Sequence, residues 1–144
     1  MKIIVGLLLA GVLLAETKVK MSDLPPVVQA AVKEQTKTAT LVGLNKEVEK
    51  GKTVYEVETK MNGKTRDLLL DATGAVVETE DEVDLDSIPA AAKAAIQKKA
   101  SGRAIQKVEK LTKGSSVAYE AAIKTKNGKT VEATVNADGT PHKE

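Results

Sequence analysis

The sequence predicts an α+β fold in which two tandem repeats, each a helix followed by three to four strands, form one antiparallel sheet with both helices on one face. Three observations predict it. First, the second half of the chain restates the first. When Leu24-Pro25 is laid on Ile88-Pro89, Tyr55-Glu56 falls on Tyr119-Glu120, and after one inserted residue Asn62-Gly63-Lys64-Thr65 falls on Asn127-Gly128-Lys129-Thr130. Second, the apolar spacing changes within each half from helical to every second residue. Third, each half carries an Asn-Gly pair between two alternating segments, the strongest short-range hairpin signal.

The chain opens on Met1-Lys2 and an apolar run from Ile3 to Ala15, then turns polar at Glu16-Thr17-Lys18. One basic residue before a short apolar run is the layout of a secretory signal peptide. The run is too short for a spanning helix, which needs about 20 apolar residues. Residues 1–15 are therefore expected to be a leader cleaved after Ala15, leaving a periplasmic or secreted protein that does not contact the membrane. The absence of Cys means that an exported domain relies on its own apolar core rather than on disulfides.

Residues 16–79 form the first repeat, 80–86 an acidic linker within the Glu78–Asp86 stretch, and 87–144 the second repeat. Each repeat opens with a helix. Asp23 and Ser87 take the N-cap position and Pro25 and Pro89 the first turn, where a missing N–H costs little. Leu24, Val28, Ala31 and Val32 share one face, as do Ile88, Ala92, Ala95 and Ile96. These stripes are made of small residues, so each helix must lie close to what it covers. In the following strand Leu41 and Leu44 would fall on opposite faces of a flat ribbon, which predicts a bulge between them.

The next strand of each repeat sends Tyr55 and Val57, or Tyr119, Ala121 and Ile123, toward the helix. Glu56, Glu58 and Lys60, or Glu120, Ala122 and Lys124, point the other way. Both Asn-Gly pairs are expected to form two-residue type I′ turns. The strand after the turn sends Arg66, Leu68 and Leu70, or Val131, Ala133 and Val135, to one side. Asp71 to Gly74 and Asn136 to Gly139 make the next turns.

The ordered set of Leu24-Pro25, Val54-Tyr55-Glu56-Val57, Asn62-Gly63-Lys64 and Asp71 to Gly74, with its second occurrence from Ile88-Pro89 to Gly139, resembles the PepSY domain of small exported bacterial proteins. Two copies in tandem look like the PepSY-like group, whose fold is similar to beta-lactamase inhibitor protein. The resemblance implies non-enzymatic binding, with inhibition of extracytoplasmic peptidases as the usual proposal for the family.

Composition narrows the chemistry further. A net charge of +2 and two Tyr, without Trp or Phe, give no basis for binding nucleic acid. A single His, His142 in the expected frayed tail, leaves no route to a Ser-His-Asp arrangement. The pair Glu56 and Glu58 has only Glu120 and Ala122 as its counterpart, so the two carboxylates read as a solvated strand face rather than an acid/base couple. Neither Asp71–Gly74 nor the acidic stretch has the spaced oxygens of a calcium loop. No catalytic residue, cofactor or metal is expected. The expected partner is another extracytoplasmic protein, meeting the sheet face at Glu56, Glu58, Lys60, Glu120 and Lys124. Two alternatives are a small apolar ligand held between sheet and helices, as in an envelope-stress accessory protein, and a structural role with self-association through the edge strands.

Overall fold

The computed structural model describes residues 16–49 and 51–143; the expected leader lies outside them. Among the described residues no helix is long and apolar enough to cross a membrane. The fold is α+β. Two strands, β1 (Thr17–Lys18) and β2 (Thr40–Glu49), flank α1 (Pro26–Gln35) in the chain, and β3 (Lys52–Met61), β4 (Lys64–Asp71) and β5 (Val76–Glu82) follow. Then come α2 (Ala90–Ala100), β6 (Ile105–Lys113), β7 (Ser116–Lys124) and β8 (Thr130–Asn136). The strands are hydrogen-bonded in chain order as an eight-stranded antiparallel sheet. β1 was not legible in the sequence, since two residues are too short a run to show alternation.

The chain divides into two compact units. The first comprises residues 16–81 with Thr112–Ser115, the second Glu82–Leu111 with residues 116–143. The expected linker 80–86 is corrected here: residues 80–82 complete β5, and Glu78 is buried at 6% exposure. Its carboxylate is ion-paired with Lys113 at 2.9 Å. Residues 78–82 of the charged run thus lie in a strand, where Glu78 pairs with Lys113 and Asp81 with Arg66, and residues 83–86 follow it.

In the first unit, Leu24, Val28 and Val32 of the α1 segment pack on Leu44, Tyr55, Val57, Leu68 and Leu70. In the second, Ile88, Ala92, Ile96 and Ala100 pack on Val108, Ala121, Ile123 and Val135, with Tyr119 only partly buried against them. Asp23 and Ser87 do not cap these helices. Each ends a short 3-10 turn, and the N-cap positions belong to Pro25 and Pro89, neither of which offers a side-chain acceptor. The physical reason is the proline, which pushes the preceding Leu24 and Ile88 into extended backbone and separates turn from helix.

The bulge is present, with the β2–β3 register shifting between Leu41 and Gly43. Asn62 and Gly63 have φ of 54° and 82°, as a type I′ turn requires. The second Asn-Gly differs. Gly128 has φ 79° but Asn127 is not left-handed, and the loop is closed by Thr125 N–H to the Lys129 carbonyl at 2.7 Å. The residue inserted in this copy converts a two-residue turn into a longer loop with glycine at its left-handed position. His142 is held rather than frayed: its Nδ1 lies 2.7 Å from Asn136 Oδ1, beside a bridge between Val135 and Pro141.

Candidate functional site

The strand alternation that sends Tyr55, Val57 and Thr59 into the first core leaves Val54, Glu56, Glu58 and Lys60 on the opposite face of β3. Lys60 is exposed, as expected. The rest of the face is not the solvated surface that the sequence suggested. Val54 is 6% exposed, Leu69 across from Glu56 is 4% exposed, and Glu56 and Glu58 are half-buried.

Asn45 organises this face. It sits on β2 opposite Glu56, is buried to 1% exposure, and its Nδ2 donates to Glu56 Oε2 and Glu58 Oε1, both at 2.7 Å. Gly43, opposite Glu58 beside the bulge, makes the room. A Cβ there would stand 2.8 Å from Glu58 Oε2. Burial pushes the Glu56 carboxyl up to about 7; the Asn45 hydrogen bond opposes this, and Glu47, Asp67 and Glu16 reinforce it. Glu16 is raised too, by burial and then by Glu58, with Lys18 acting in the other direction. The carboxylates of Glu16, Glu47 and Glu56 each offer an oxygen within 4.8 Å of the others, a spacing that one cation could span.

In the second unit, Glu120 on β7 lies opposite Thr134 on β8 and accepts a hydrogen bond from its Oγ1 at 2.8 Å. At 7% exposure it is buried, as is Ala122 beside it, against the expectation of an open face. Burial is the main cause of a carboxyl pushed up to about 7, with Glu132 and Glu109 adding to it and Thr134 and Lys107 opposing. Lys124 is exposed at the strand end, paired with Thr130.

The structure thus brings Glu56 and Glu58 together through one amide, and places Lys60 farther along the same strand face. The residues missed in the sequence are Asn45, Gly43, Glu16, Glu47 and Thr134. A signal existed for two of them. Gly43 and Asn45 are both poor strand formers in the middle of an apolar strand, and such residues often mark a bulge or a close approach. Chemically, the site can accept hydrogen bonds, take up protons near neutrality and attract cations.

Residues 27–80 match the PepSY family, described as the peptidase propeptide and YPEB domain. No curated protein sequence matches the chain. Solved structures are similar over 83% of it. One is a Bacteroides eggerthii protein described as periplasmic, at 20% identity, TM-score 0.65 and 86% coverage of that chain. A second is a DUF2874 family protein of Bacteroides ovatus, at 19%, 0.60 and 85%. A third is a BLIP-like protein of Bacteroides fragilis, at 20%, 0.57 and 84%. The chain thus carries a match to the PepSY family over residues 27–80 and has a fold similar to that of the BLIP-like and DUF2874 proteins.

Proposed function

We propose that the chain is an exported, non-enzymatic binding module, of peptidase-inhibitor type, whose sheet face meets another extracytoplasmic protein. In this reading residues 1–15 are a leader removed on export to the periplasm, and residues 16–79 and 87–144 are tandem PepSY-like repeats. The observation that carries it is the polar face of β3. Asn45 holds Glu56 and Glu58 in one fixed geometry with Lys60 exposed beyond them, an arrangement that costs burial of charge and serves no apolar core. Pre-ordered carboxylates with exposed ammonium groups suit a polar protein contact, because little side-chain entropy is lost on association. The PepSY match, described through peptidase propeptides, and the fold shared with a BLIP-like protein support the same reading.

The test is capture from the native envelope fraction, using the purified chain and a variant carrying Lys60→Glu with Lys124→Glu, two exposed positions whose reversal leaves both cores intact. The expected result is an envelope protein retained by the parent and lost or strongly depleted with the variant. Equal retention by both, or no protein retained by the parent, overturns the reading.

A further inference from the structure

The strongest unexplained feature of the first unit is a pair of buried oxygens that have no hydrogen-bond partner. One is Glu16 Oε1 and the other is Asn45 Oδ1. Asn45 is buried to 1% exposure and its Nδ2 is committed to Glu56 and Glu58, so the amide is locked against these carboxylates with its oxygen unsatisfied. Glu16 Oε1 belongs to a carboxylate that lies with those of Glu47 and Glu56, all within 4.8 Å of one another. A buried acceptor left without a donor costs about 1–3 kcal/mol, and a sequence that orphans two of them beside a cluster of carboxylates is asking for a positive centre.

The register explains how the cluster is built. β1 pairs with β2 so that Lys18 lies opposite Asn45, and Asn45 in turn lies opposite Glu56. Glu47 lies two residues beyond Asn45 on β2, and Glu16 two residues before Lys18, just ahead of β1, so both project from the same face as Glu56. β1 has no other evident reason to exist: it is two residues long, exposed, and adds little apolar burial. Its effect is to bring Glu16 to the edge of β2.

We propose that Glu16, Glu47 and Glu56, with the carbonyl oxygen of Asn45, form a site for one hard divalent cation of the calcium class. The donors are all oxygens, which excludes a preference for soft metals. Oxygens up to 4.8 Å apart fit around a single ion whose bonds are about 2.3–2.6 Å long, and a set drawn from two strands and the segment before β1 suits the adaptable coordination of calcium better than the strict octahedron of magnesium. With few protein ligands, the remaining positions are left to water, which places affinity with that of extracellular modules, about 10⁻⁴–10⁻³ M. The site shares Asn45 and Glu56 with the polar face of β3 on which the proposed partner contact rests, but the two are read separately, the cation by titration of the chain alone and the contact by reversal of Lys60 and Lys124.

The experiment is calorimetric titration of the EDTA-stripped chain with Ca²⁺ alone, then with Mg²⁺ alone, in about 0.15 M KCl to screen diffuse attraction. Expected is saturable binding of one Ca²⁺ per chain, at least about tenfold tighter than Mg²⁺. Glu16→Gln and Glu47→Gln should each weaken it about tenfold or more, while Asp86→Asn, an exposed carboxylate outside the cluster, leaves it unchanged. Amide shifts on adding Ca²⁺ to the unsubstituted chain, which need no variant to fold, should centre on residues 16–18, 45–47 and 56. Absent saturation, equal affinity for the two cations, unweakened binding by Glu16→Gln, or shifts centred elsewhere overturns the site.

Discussion

Glu120 shows what burial does to a single charged residue when a sheet supplies only a hydroxyl as partner. Thr134 gives one hydrogen bond, and Glu132 and Glu109 add repulsion, so the carboxyl is pushed up from its usual 4.5 to about 7. A carboxyl raised in the folded state binds more protons folded than unfolded between those two values. Stability therefore falls as pH rises from about 4.5 to about 7, and the cost stays constant above. For a group this buried the full effect is at most about 3 kcal/mol. Glu120→Gln keeps an acceptor for Thr134 and cannot ionise. The variant should match the parent at pH 4 and exceed it by about 1–3 kcal/mol at pH 8, read from guanidinium unfolding at both values. Parallel pH profiles for the two proteins would mean that Glu120 is not the titrating group. The sequence marked Glu120 by its equivalence to Glu56 and by alternation with Tyr119, but alternation reports only a face. Whether that face is wet depends on what flanks it, here Ala118 and Ala122, both buried.

At the scale of elements, the small-residue stripes of the helices find their reason in the turns that dock on them. Gly74 has φ 82°, and a Cβ on it would stand 3.0 Å from the Val27 carbonyl and 3.2 Å from Ala31 Cβ. Gly139, also at φ 82°, would place a Cβ only 2.6 Å from the Ala91 carbonyl. Gly128 has nearly the same backbone, φ 79°, with nothing within 4 Å. Gly128 and Gly139 therefore separate backbone strain from close packing. Gly128→Ala should cost about 1 kcal/mol for the left-handed conformation alone. Gly139→Ala should cost about 2 kcal/mol more, because α2 must move away from the turn. Chemical denaturation of both variants checks this, and equal losses would remove the role assigned to helix contact. The helices, the bulge before Gly43 and the Asn62-Gly63 turn were all legible, because each is written in local spacing or local backbone preference. The N-caps were not. Asp23 and Ser87 have the right residue type, yet Pro25 and Pro89 displace the helix start, and a cap depends on where the helix begins.

At the scale of the whole molecule, the units do not coincide with halves of the sequence. Thr112–Ser115, the end of β6 and its turn into β7, belong with residues 16–81. Lys113 from that segment holds the buried Glu78 carboxylate. A fragment of residues 16–81 lacks this partner, and leaving a buried carboxylate unpaired costs on the order of 1–3 kcal/mol, toward the low end because the Lys113 side chain is itself more than half exposed. The fragment should unfold at lower denaturant than the same residues in the intact chain, with the earliest hydrogen exchange in β5. Equal protection in both would show the first unit to be complete without residues 112–115. The α+β class, the order of the helices and the longer strands, and the apolar faces beneath the helices followed from the sequence by itself, since periodicity, proline and Asn-Gly act over a few residues. Only the tertiary structure decided that Asn45 would hold Glu56 and Glu58, that Glu16 would arrive beside Glu47, and that Glu120 and Glu78 would be buried. These depend on strand register and on neighbours far apart in the chain, where one residue of slip exchanges every contact, and no local pattern records them.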